Sequence, residues 1–114
     1  MFKEIGDGVS LEEAKPYRDY IVHKILQLAG RYSLLVQIHT GIQEGNTNLL
    51  SNSNPLLLNN PFLEYNDVVF DIFHAGYPWF REVGVLAKMF PNVYVDMCWF
   101  HAISPHDARE ALSV

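Results

Sequence analysis

Two short runs that are apolar on both faces, Leu34–His39 and Val68–His74, each stop at a histidine followed by a small residue and a glycine, His-Thr-Gly in one and His-Ala-Gly in the other. Strands apolar on both faces belong inside parallel sheets covered by helices, and parallel neighbours need long crossover connections. The segments between the strands supply them. Phe80, Val83, Leu86, Ala87 and Phe90 repeat at helical spacing after Pro78, and Pro91 with Asn92 ends that helix before a third strand, Val93–Trp99. Helix and strand alternate, which predicts an α/β fold of parallel βα units joined by right-handed crossovers.

The flanking segments read the same way. Ser10 and Glu13 form a capping box, so a helix starts near Leu11. Pro16 should break it, leaving a short turn and a main helix that restarts at Pro16. Tyr17, Ile21, Ile25 and Leu28, with Val22, Leu26 and Ala29 beside them, make one apolar stripe that should pack through one face, and Gly30 supplies the stop. Gln43 to Asn60 is rich in asparagine and serine and reads as a long loop, with two helical turns begun by Asn54 and Pro55. Ser104 caps a last helix with Pro105 at its first position and Asp107 and Glu110 near its start.

Composition bounds the function. The chain has 114 residues, 49% hydrophobic and 18% charged, which suits one globular domain spanning residues 1–114 and excludes a disordered or fibrous protein. A formal charge of −5 offers no cationic surface, so neither nucleic acid nor a membrane is expected as partner. The apolar runs are too short to cross a bilayer, the start has no signal-peptide pattern, and Cys98 is the single cysteine, so the expected location is cytoplasmic.

The chemistry should sit where parallel strands end, because α/β folds expose side chains there to ligands. His39 and His74 reach that edge together. Two neutral imidazoles converging on one point suit zinc or a similar divalent ion. Either could equally hydrogen-bond a loop carbonyl and fix a turn. Alternation places Leu35 and Gln37 on the face of His39, and Phe70 and Ile72 on the face of His74. Tyr94, Asp96 and Cys98 form the more polar set of the third strand. Asp96 could orient a histidine or simply be satisfied by a neighbouring strand, while Asp71 falls on the opposite face with no evident role. His101 follows the third strand and could contact substrate or move a proton, or be an ordinary loop histidine. Tyr77, Trp79 and Trp99 lie just past strand ends, where they could wall a small organic substrate or close the core. His23 and His106 look ordinary, Cys98 reads as packing, and the sequence contains no P-loop, dinucleotide fingerprint or nucleophile elbow.

The strings VQIHTG, FDIFHAGYPWFREVGVLAKMFPNVYVDMCW and HAISP, taken together, resemble the carboxyl-terminal half of the metal-dependent amidohydrolase superfamily, in its branch of TIM-barrel hydrolases and decarboxylases. The resemblance implies that the three strands correspond to the fifth, sixth and seventh of the barrel. It implies that His39 and His74 bind or face the metal, with Trp79, Trp99 and His101 near the substrate. The first-strand HxH pair and eighth-strand aspartate of that family have no counterpart in this sequence. A complete barrel takes about 250 residues, so the expectation is a partial TIM barrel of about three parallel βα units, inactive as an isolated chain. Two alternatives accompany it: a non-catalytic α/β subunit that self-associates or completes a barrel with a partner chain, and, less well supported, a small flavodoxin-like binding domain. Open edges and a bare face carrying Gln37, Phe70, Ile72 and the histidines predict a homo-oligomer.

Overall fold

A computed structural model describes residues 8, 10–45 and 48–113 of the chain. Three parallel strands, β1 (Leu35–His39), β2 (Val69–Phe73) and β3 (Val93–Val95), form one open sheet in chain order, with helices between them. This is the α/β architecture expected of a partial barrel of three βα units. The radius of gyration, 15.6 Å, exceeds the value of about 13 Å typical of a compact domain of this length. The molecule is a slab only 19 Å thick in its shortest direction.

Helix α1 (Leu11–Arg31) begins at the capping box: the Glu13 amide donates to Ser10 Oγ and the Ser10 amide to Glu13 Oε2. It does not break at Pro16. The missing proline donor leaves a single interior bond unmade, that to the carbonyl of exposed Glu12, where water can replace it. Nor does Gly30 stop the helix through a left-handed backbone; Ser33 takes that conformation, with φ 53°. Gly30 instead lies close to the Asp67 side chain: a Cβ there would be 2.7 Å from Asp67 Oδ2, an exposed side chain that could swing aside. The apolar stripe is covered only in part. Leu26 and Ala29 are buried, whereas Tyr17, Val22, Ile25 and Leu28 remain exposed, because β1 is the edge strand and no further strand lies beside it among the described residues.

The asparagine-rich segment contains 3₁₀ turns at Leu50–Ser53 and Pro55–Leu58, and Asn54 caps the second by accepting from the Leu56 amide. A short helix, α2 (Asn59–Glu64), continues directly from the second turn, so the helical turns expected from Asn54 and Pro55 run on to Glu64, past the expected end of the loop at Asn60. Its Phe62 is fully buried, with ring centroids 5.0 Å from Phe70 and 5.7 Å from Phe90, so burial of one aromatic outweighs weak local helix propensity. Helix α3 (Phe80–Met89) buries Phe80, Val83 and Leu86 as its spacing predicts, and Phe90 beyond it is also buried. Two further helices, α4 (Phe100–Ile103) and α5 (Pro105–Ala111), end the described chain, the latter capped by Ser104 as expected.

The two faces of the sheet differ. Phe70 and Ile72 are completely buried beneath the helices, joined there by Val36 and Ile38 of β1 and by Val93. The open face carries Leu35 and Gln37 and His39 from β1, Val69 and Asp71 and Phe73 from β2, and Tyr94 from β3. Strand alternation therefore misplaces Phe70 and Ile72, which do not belong to the bare face, and Asp71, which does. The cause is local to His74. It lies one residue beyond β2, in left-handed backbone with φ 58°, so the two-residue period stops at Phe73 and does not carry through to the histidine. The third strand is likewise shorter than predicted. Asp96 leaves it and accepts the Cys98 amide on its own carboxylate, folding the chain into a turn.

Candidate functional site

His39 ends β1 in extended backbone, and the chain then turns sharply at Gly41, φ 70°. The loops after β1 and β2 are tied there: the Ile42 amide donates to the Tyr77 carbonyl and the Gly41 amide to that of Ser53. After β2, three consecutive residues, His74, Ala75 and Gly76, have positive φ. For the two that are not glycine this costs about 1–2 kcal/mol each, and the strain swings the His74 side chain toward His39. The two Nε2 atoms lie 3.1 Å apart, with ring centroids 4.7 Å apart and planes near perpendicular.

The hydrogen bonds define the tautomers. His74 Nδ1 is 2.6 Å from the Cys98 carbonyl, which can only accept, so Nδ1 carries the proton and Nε2 a lone pair. His39 Nε2 faces both that lone pair and the Ile42 carbonyl at 3.0 Å, so it carries a proton and donates. His74 is buried at 6% exposure, while His39 stands open at the rim.

Both imidazoles line a cavity of about 530 Å³, walled on its apolar side by Ile42, Phe73, Trp99 and Ile103, with Gln43 and Glu44 at its polar side. Trp99 is 64% exposed and has φ 61°, a conformation rare for a bulky residue and suggestive of a functional constraint. Of the other residues singled out in the sequence, Trp79 starts α3 and His101 lies exposed on α4, and the lining of this cavity includes neither. Tyr77 packs its ring on Phe100.

Neighbouring ligands of a tetrahedral zinc with bonds of about 2.0–2.1 Å lie about 3.4 Å apart. The spacing of the two Nε2 atoms is close to this, so the pair fits a divalent ion. His74 already presents its lone pair, with the opposite nitrogen held by a carbonyl, the usual arrangement behind a metal-ligating histidine. His39 fits after moving its proton to Nδ1 and releasing Ile42. A second group, His106, Asp107 and Glu110 on α5, has ligand atoms within 4.8 Å of one another. These residues have other work: Asp107 and Ser104 cap α5, and Glu110 pairs with Arg81.

One polar cluster below the histidines was not legible as a unit in the sequence. Gln37 Nε2 donates to Asp71 Oδ2 at 2.8 Å and to Asp96 Oδ2 at 3.1 Å, bridging from β1 a carboxylate on β2 and one in the turn after β3. The register that opposes Gln37 to Asp71 was the missing signal. Burial pushes the Asp71 carboxyl above its ordinary range, the Gln37 hydrogen bond holds it back, and the Asp96 charge adds to the rise. The folded protein thus keeps this proton to higher pH than the unfolded chain, and stability falls as pH rises across that interval. Asp71→Asn removes the repulsion and gives Asp96 an amide donor. We expect it to stabilise the fold by about 1 kcal/mol at pH 7, a rise of a few degrees in midpoint on thermal melting. The gain should vanish in acid, where the native carboxyl is protonated; an unchanged or lower midpoint at pH 7 would remove the repulsion from this account.

The family model for amidohydrolases matches residues 5–114. A curated relative, Protein fluG of Emericella nidulans, is 35% identical over 105 residues, covering 88% of this chain. The chain spans only 12% of that relative's length. No solved structure matches.

Proposed function

Because the chain belongs to the amidohydrolase family, whose members act on small molecules and usually bind divalent metals, we propose that its three βα units form part of the hydrolytic site of such an enzyme. The single observation that carries this reading is the convergence of His39 Nε2 and His74 Nε2, 3.1 Å apart, at the mouth of one cavity. In this reading His39 and His74 hold the ion, and zinc suits their imidazole nitrogens. When bound, such an ion supplies Lewis acidity that polarises a substrate carbonyl and eases deprotonation of water. The chain's own residues do the rest. Phe73, Ile42 and Trp99 exclude water and offer a flat apolar wall to a small organic substrate, and the Cys98 carbonyl holds the His74 Nδ1 proton so that the Nε2 lone pair stays aimed at the ion's position. Trp79, at the start of α3, and His101, on α4, lie outside that lining and serve as contacts for substrate groups that extend beyond the cavity.

Two imidazoles fill only two of zinc's four positions, so turnover needs ligands beyond those the described residues bring to this cavity, and the isolated chain is inactive. The test is binding rather than rate. Titration of dialysed protein with zinc should reveal one equivalent bound, weakened at least tenfold by His39→Ala and by His74→Ala. Equal binding in all three proteins would dispose of the metal reading.

A second reading rests on the uncovered surfaces. Among the described residues both sheet edges are unpaired, and Ile25 of α1 and Leu35 of β1 are 54% and 59% exposed. Such edges invite pairing with another chain, and here the 114 residues act as one partial-barrel subunit of a homo-oligomer. Light scattering should report a dimer or larger species; a folded monomer at tens of micromolar would count against self-association. No helix among the described residues is long and apolar enough to cross a membrane. The lone, unpaired Cys98 suits a reducing, cytoplasmic setting.

A further inference from the structure

We propose that Asp96 is the positioning residue that fixes the tautomer and aim of His74, by tying the two backbone amides on either side of that histidine's own hydrogen bond. The inference rests on the proposed role of His74 and goes beyond it.

The geometry is a closed loop. Asp96 Oδ1 accepts from the His74 amide at 3.2 Å and from the Cys98 amide at 2.8 Å. The Cys98 carbonyl in turn accepts from His74 Nδ1 at 2.6 Å. One carboxylate oxygen thus sets the distance between the histidine's backbone and the carbonyl that reads its ring. The backbone of Asp96 joins the same clamp, since its carbonyl accepts the Ala75 amide at 2.8 Å. Asp96 therefore grips the start of the left-handed run that turns His74 out of the path of β2. Without that grip, strand alternation would carry the side chain at position 74 toward the helix-covered face with Phe70 and Ile72.

The far oxygen, Oδ2, is also engaged, by Gln37 Nε2. The carboxylate is held at both ends and cannot rotate freely away from the amides. An imidazole in water favours the proton on Nε2, the tautomer opposite to the one enforced at His74. A ring released from the Cys98 carbonyl would present N–H to the cavity, where neither a metal nor a substrate proton could be accepted. Asp96 touches neither the cavity nor a reacting atom, so its role is indirect.

Nitrogen-15 spectra of the imidazoles, recorded on the whole chain without metal, test this directly. In the wild type, His74 Nε2 should resonate as a bare nitrogen and Nδ1 as a protonated one. Asp96→Ala should convert His74 to the averaged or Nε2-protonated pattern, and Asp96→Asn, whose amide oxygen accepts the same two backbone protons, should restore the native pattern. Asp96→Glu keeps the charge but moves the acceptor by one methylene, so it should also lose the native pattern, and it decides the matter if the alanine variant does not fold. Zinc affinity, measured in parallel with the metal alone, should fall tenfold to a hundredfold in the alanine and glutamate variants. A native His74 pattern in Asp96→Ala or Asp96→Glu overturns the positioning role and leaves the metal reading intact. A lost pattern with no zinc bound even by the wild type upholds the positioning role while the metal reading fails.

Discussion

Gly41→Ala is expected to leave the chain unfolded, or to cost at least about 4 kcal/mol, the range reached only by clashes and buried defects. A Cβ at this position would lie 1.9 Å from the Tyr77 carbonyl oxygen and 2.7 Å from two atoms of Gly76, all of them backbone, so no side chain can swing aside. The φ of +70° adds the ordinary penalty for leaving glycine behind. Relief would require the loop after β1 to move away from the loop after β2, breaking the Ile42–Tyr77 hydrogen bond and parting His39 from His74. Gly45 is the control. It too has positive φ, +91°, but a Cβ there meets nothing within 4 Å, so Gly45→Ala should cost about 1 kcal/mol. Urea titration followed by circular dichroism distinguishes the two; similar midpoints would mean that the close approach of the loops is not maintained in solution.

Asn92→Asp should be nearly as damaging at neutral pH and far milder in acid. Asn92 is buried, and its Nδ2 points at three carbonyls, those of Phe62, Tyr65 and Val68, at 3.4, 3.2 and 3.1 Å. It fastens the end of α2 and the entry to β2 onto the start of β3. A carboxylate there would face three acceptors with no proton to offer, a buried unpaired charge of the kind that costs about 3–5 kcal/mol. The fold would hold the new carboxyl's proton, raising its pKa above the unfolded value. By linkage its penalty is absent below the unfolded value and is fully present once pH has risen past the folded one. Asn92→Ala, which loses the same bonds without adding charge, should cost about 2–3 kcal/mol at every pH. Stability curves at pH 4 and pH 7 for the two variants test this; an aspartate penalty independent of pH would show that the side chain escapes to water.

What could be read from the sequence was whatever a residue's near neighbours decide. The capping box at Ser10 and Glu13, the Ser104–Pro105 start of α5, the buried positions of α3 and the cores of all three strands depend on contacts within a few residues. The meeting of His39 and His74 was also legible, because parallel strands end on one edge. The assignment of Phe70, Ile72 and Asp71 to faces was not. It turns on a left-handed backbone at His74 and Ala75, and neither residue type announces positive φ as glycine does. The full extent of α2 escaped for a different reason: its weak propensity is overridden by Phe62 reaching Phe70 and Phe90, which lie 8 and 28 positions further along the chain. The stripe on α1 was read correctly as apolar, but the sequence carries no mark of which residues a neighbour covers.

The order of the strands has a consequence for assembly. Because β1, β2 and β3 lie side by side in the order they are synthesised and all point one way, each new βα unit joins at an edge without disturbing those already placed. Growth of that kind has no built-in terminus. The backbone row on the outer side of β1 is an address that any polypeptide carrying one more parallel strand could occupy, whether it is covalently continuous with this one or not. The sheet is in this respect a modular template, and complementation by a separately expressed strand-and-helix unit is a natural operation on it.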